Sequence, residues 1–107
     1  MKETLKNLSD IIASANDIFY SRNTNINTIM GIIDKSLRKQ GMQADAITLD
    51  CTSLDKKIVF LLHDDTPSKI NITLGNKNGS IFSSTEYALK DISEALIVEI
   101  MEANFIL

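Results

Sequence analysis

The sequence predicts an α+β domain of two N-terminal helices, a three- to four-stranded antiparallel meander sheet and a C-terminal helix, in the order ααβββ(β)α. Three observations lead there. Apolar residues recur at helical spacing over roughly the first forty positions, alternate with polar ones between about residues 47 and 83, and return to helical spacing from about residue 84. The links between the expected strands are short, which suits hairpins, whereas parallel strands need long crossovers.

The first helix is expected over residues 3–21. Leu5, Leu8, Ile11, Ile12, Ala15, Ile18 and Phe19 fall in one arc, with Lys6, Asp10, Ser14 and Asp17 outside it. A second helix is expected over residues 26–39. Asn25 or Asn27 can cap it, and Ile26, Ile29, Met30, Ile33 and Leu37 form its apolar side. Lys35, Arg38 and Lys39 suit the negative end of its dipole, and Gly41 is a natural stop. Gly31 falls inside this helix, where it costs about 1 kcal/mol against Ala and is read as tolerated.

Ile47, Leu49 and Cys51 alternate with Thr48 and Asp50 as a half-buried strand. Lys57 to His63 contains five consecutive apolar residues, as in a strand covered on both faces. After the Asp64-Asp65-Thr66-Pro67 turn, Ile70, Ile72 and Leu74 mark a third strand. Gly75 to Gly79 reads as a hairpin turn, and Ser80 to Ser83 as a short fourth strand. The last helix is expected from Ser84 to Asn104, with Ser83 and Glu86 spaced as a capping box. Its primary face is Ala88, Leu89, Ile92, Ala95, Leu96, Ile100 and Ala103. A second apolar stripe, Ile97, Val98, Met101 and Phe105, points the other way.

The 107 residues form one domain, 1–107, with no repeat and no linker. A chain of this size buries roughly two-thirds of its unfolded surface, enough for a core without metal or disulfide. The net charge is −3, and residues 84–107 hold five acids against Lys90 alone. A phosphate backbone needs surplus cations, so nucleic acid is a poor partner. No apolar run approaches the ~18–20 residues of a membrane span. The start, MKETLKNLSD, lacks the apolar stretch of a secretory signal, and the single Cys51 has no internal partner. The expected setting is the cytoplasm, with a reduced thiol.

Few residues suggest chemistry. His63-Asp64-Asp65 could hold a cation or form a base steered by a carboxylate, but adjacent strand residues face opposite ways, and Asp before Thr-Pro is ordinary turn chemistry. With one His in the chain, a His-rich zinc site is excluded. Cys51 could be a nucleophile with His63 as its base, yet it continues the apolar register of Ile47 and Leu49, as a buried structural thiol does. Glu99, at the edge of the last helix's apolar arc, could be a desolvated carboxylate, or could reach water or a lysine. Asp45, Asp50 and Asp55 recur every five residues without the Gly and distal Glu of a calcium loop. No phosphate-binding, nucleophile-elbow or zinc-protease motif occurs.

The expectation is therefore a small cytoplasmic, non-enzymatic interaction module without cofactor. It is expected to form a homodimer through the C-terminal helix, with Ile97, Val98, Met101 and Phe105 as the seam, since a large exposed apolar patch is unusual on a monomer. Two other readings are a protein binding a small apolar ligand among Met30, Phe60 and Met101, and an acidic inhibitor or immunity-type protein presenting its last helix to a basic partner.

Overall fold

The computed structural model describes residues 2–106. It is α+β: a five-stranded antiparallel sheet flanked by an N-terminal and a C-terminal helix. Helix α1 spans Glu3–Arg22 and strand β1 spans Ile29–Ile33. A single helical turn, α2, covers Ser36–Lys39 before β2, Ala44–Cys51. Strands β3 (Lys56–His63), β4 (Lys69–Gly75) and β5 (Ile81–Ala88) follow, and α3 spans Glu94–Phe105. The strands lie in the sheet in chain order, β1-β2-β3-β4-β5, each antiparallel to its neighbours.

The first helix matches its periodicity: Leu5, Leu8, Ile12, Ala15 and Phe19 are buried. The expected second helix is corrected. Residues 29–33 are a strand paired with β2, from Ile29 opposite Asp50 to Ile33 opposite Ala46. The sequence Ile-Met-Gly-Ile-Ile favours this, because three β-branched residues lose rotamers in a helix and the glycine is costly there. Only Ser36–Lys39 remains helical, stopped by Gly41 at φ +90°, a conformation that glycine adopts without strain.

The strand count is corrected as well. Residues 81–88, five of which fall in the expected last helix, form β5, with Tyr87 opposite Ile70 and Thr85 opposite Ile72. The Ser83/Glu86 spacing is therefore not a capping box. Helix α3 starts ten residues later, where the Ser93 hydroxyl accepts from the Leu96 N–H at 3.1 Å. In the β4–β5 turn Gly75 leaves room for the Ser80 carbonyl, which a Cβ would overlap.

The core lies between the two helices and one face of the sheet. Ile47, Leu49, Cys51, Ile58, Phe60, Ile70 and Ile72 meet Leu5, Leu8, Ile12, Phe19, Ile97, Met101 and Phe105 there. The Phe19 and Phe105 rings pack edge to face, 5.9 Å between centroids. The opposite sheet face carries Ile29, Gly31, Ile33, Ala46, Thr48, Val59 and Leu61, none of which belongs to that core.

Candidate functional site

Polar side chains converge at one end of the sheet, around Arg38 of α2. Its Nε and one terminal nitrogen donate to the two Asp45 oxygens at 3.0 and 2.8 Å. Its terminal nitrogens also donate to Asp64 at 2.8 and 2.9 Å. The Lys2 ammonium donates to Asp64 at 2.8 Å. Asp45 is only 4% exposed, so its charge is removed from water and needs the paired geometry of the guanidinium. The hydrogen bonds from Arg38, then those from Lys2, hold the Asp64 carboxyl well below the usual carboxylate range. The same contacts keep Arg38 protonated.

This cluster ties α1, α2, β2 and the β3–β4 turn together. Beside it is a cavity of about 140 Å³ lined by Lys2, Thr4, Leu5, Leu62, His63 and Pro67 with the two aspartates. Both carboxylates are engaged by cations, which leaves neither as a free base or cation ligand. Among the described residues, no group of three His, Cys, Asp or Glu could hold a metal ion. The constellation is a clamp.

The candidate residues are dispersed. His63 is exposed and lies opposite Ala44, while Cys51 lies opposite Lys56. Seven residues of β2 separate the two positions, roughly 24 Å at ~3.4 Å per residue, and they face opposite sides of the sheet. A thiol–imidazole pair is excluded by that spacing. Cys51 is fully buried, with Sγ 3.6 Å from the Ser53 hydroxyl. Asp65 is exposed in the turn. Asp50 and Lys57 oppose each other across β2 and β3, at 4.0 Å, which accounts for one of the regularly spaced aspartates.

The expected seam is corrected most sharply. Ile97, Val98, Met101 and Phe105 are all buried within the chain's own core. The second stripe is the inward face of α3. Of the residues expected on its primary face, Ala95 and Ala103 are exposed, Leu96 and Ile100 are half-buried, and Ala88, Leu89 and the buried Ile92 precede the helix. Glu99 is exposed on the outer side. Together with Glu94, Glu102, Arg22, Ile18 and Ala95 it lines a groove of about 410 Å³ between α1 and α3. Ser14 donates to Glu94 at 3.0 Å, and Arg22 lies 3.5 Å from Glu102. Phe60 and Met101 are closed within the core, so they are not lining for an apolar ligand.

Sequence reasoning missed the Arg38–Asp45 pair, although each residue stood out separately: Arg38 with Lys35 and Lys39 at the end of the expected second helix, Asp45 at the start of the aspartate series. It also missed an exposed apolar edge. β1 ends the sheet, and its Ile29 and Ile32 are 62% and 42% exposed. No helix among the described residues is long and apolar enough to cross a membrane. Compared with known proteins, the chain matches no family model, no curated protein and no solved structure.

Proposed function

We propose that the chain is a small, non-enzymatic protein-interaction module that works as a homodimer in the cytoplasm, using its sheet and not its last helix as the contact surface. One observation carries this reading: the helices cover a single face of the sheet, and the opposite face and the β1 edge keep Ile29, Ile33, Val59 and Leu61 outside the core. Apolar side chains gathered on one side of a small domain are a common basis for association, since their burial against a partner removes them from water. The Asp45 and Asp64 carboxylates are held by Arg38 and Lys2, and Cys51 and His63 lie on opposite faces of the sheet.

Light scattering coupled to size exclusion tests the reading. The expected mass at high micromolar concentration is twice the 11.9 kDa of one chain. A monomer at that concentration overturns the proposal.

The groove between α1 and α3 favours a second reading. Its rim of Glu94, Glu99 and Glu102 over an apolar floor of Ile18, Ala95 and Val98 suits a basic, amphipathic partner segment. Calorimetry with a lysine-rich amphipathic peptide should show binding that weakens with salt and is lost on Glu99→Lys. Binding unaffected by that change, or no binding in low salt, removes this reading.

A further inference from the structure

We propose that a second copy of this chain pairs its β1 antiparallel to the first across a two-fold axis at Gly31, joining the two sheets into one of ten strands. This rests on the reading of the chain as a homodimer and names where the seam lies.

The two edges of the sheet are unlike. Edge strands normally carry a charge, a proline or a bulge, because a bare edge is a template for another strand. β5 has such protection: its pairing with β4 is interrupted at Leu74/Gly75, and Glu86, bridged to Lys69 at 3.2 Å, sits on it. β1 has none. From Thr28 to Ile33 there is no charge and no proline, and its register with β2 runs without interruption over all five residues.

The strand is also complementary to itself. With Gly31 on the axis, Ile29 faces Ile33 of the other copy, and Met30 faces Ile32, so every opposed pair is apolar. Moving the axis to Ile32 sets Asp34 against Met30 and Lys35 against Ile29. Moving it to Met30 sets Thr28 against Ile32 and Asn27 against Ile33. The Gly31 register also keeps like faces together. Ile29 and Ile33 share the outer face, opposite Asp50 and Ala46, while Met30 and Ile32 share the helix side, opposite Leu49 and Ile47. Beyond the strand, Asp34 meets Thr28 and Lys35 meets Asn27, so no like charges oppose each other.

A residue on a two-fold axis meets its own copy, and glycine in a strand often marks such close approach. A Cβ at Gly31 would also lie 2.9 Å from the Thr48 hydroxyl, so the position is crowded from within the chain as well. The second copy covers Ile29 and Ile32, the most exposed apolar side chains of the strand, and the two outer faces become one continuous surface.

Cysteine pairing tests this register. Ile29→Cys and Ile33→Cys chains are prepared separately, and also mixed, unfolded and refolded together, with folding checked by circular dichroism. In the proposed register position 29 of one copy lies directly opposite position 33 of the other, within the ~4.4–6.8 Å between α-carbons that a disulfide spans. Two copies of position 29 are about 14 Å apart along the strand, and so are two of position 33. On mild oxidation the mixture should form a disulfide-linked dimer, and neither variant alone should. Cross-linking in a single variant, or none in the mixture while light scattering still shows a dimer, overturns the register but leaves the homodimer standing. A monomeric wild type overturns both.

Discussion

Replacing Phe105 with Ala tests whether the last helix belongs to the core of its own chain. The ring is 2% exposed and meets Phe19 edge to face at 5.9 Å. Truncating a buried phenylalanine costs about 3–5 kcal/mol through lost burial and the cavity left behind. The aromatic pair contributes about 0.5–1.5 kcal/mol of that. A domain of this size has about 5–15 kcal/mol in total, so the variant should fold but be severely weakened. The measurement is urea unfolding followed by far-ultraviolet circular dichroism, with Ile32→Lys in both proteins so that dissociation does not enter. With a slope of about 1–3 kcal/mol per molar urea, a loss of about 4 kcal/mol lowers the midpoint by about 1.3–4 M. Met101→Glu with Phe105→Glu extends the test. A seam would yield a folded monomer, whereas a core position leaves two carboxylates buried without partners and the chain unfolded. A midpoint shift of less than about 0.5 M for Phe105→Ala, or a well-folded double variant, would refute the placement of this helix.

Four further outcomes follow from the geometry. Ile32→Lys sets an ammonium against Met30 of the other copy; the side chain is exposed in one chain, so light scattering should show a monomer whose helix and strand content is unchanged. The lowered pKa of Asp64, caused first by Arg38 and then by Lys2, adds stability that is complete above the unfolded value near 3.8 and drains away as pH falls below it towards the folded value. Between about pH 4 and about pH 2, thermal melts of the wild type should therefore fall more steeply than those of Asp64→Asn. Arg38→Met strands the buried Asp45 carboxylate, so Asp45→Asn added to it should raise the melting temperature above that of Arg38→Met alone. Cys51 should resist Ellman's reagent in the folded protein and react fully in urea; rapid reaction of the native thiol would contradict its burial.

The clamp at Arg38 bears on how the sheet end is held. Its partners come from β2 and from the turn after β3, and Lys2 adds the start of α1. Such a cluster restricts how these pieces sit relative to one another more than it adds net stability, because desolvating Asp45 offsets much of the attraction. It lies at the end of the sheet, on the helix side with Asp45, while the outer face carries the Asp50–Lys57 pair beside Ile29 and Val59.

Helix α1 could be read from its residues alone because its signal is local: one apolar arc, one polar arc, twenty residues. The central strands could be read for the same reason, since Ile47, Leu49 and Cys51 alternate and Lys57 to His63 holds an apolar run of strand length, Ile58 to Leu62. Residues 26–39 were ambiguous by nature. Apolar positions 26, 29, 30, 33 and 37 satisfy a helical period, while 29–33 also form an apolar strand, and only the free hydrogen-bonding edge of β2 decides between them. The segment around Glu86 likewise becomes strand because β4 is beside it, although its spacing imitates a helix cap. For α3, apolar residues on both sides deprive the helix of a preferred inner face, and the packing of Phe105 on Phe19 and of Met101 over the sheet selects one. Local propensities differ by a fraction of a kcal/mol per residue, while burial of a single large side chain changes the balance by about 1.5–3 kcal/mol. Contacts between residues distant in the chain thus choose the element, its face and its partner wherever the local pattern allows two answers.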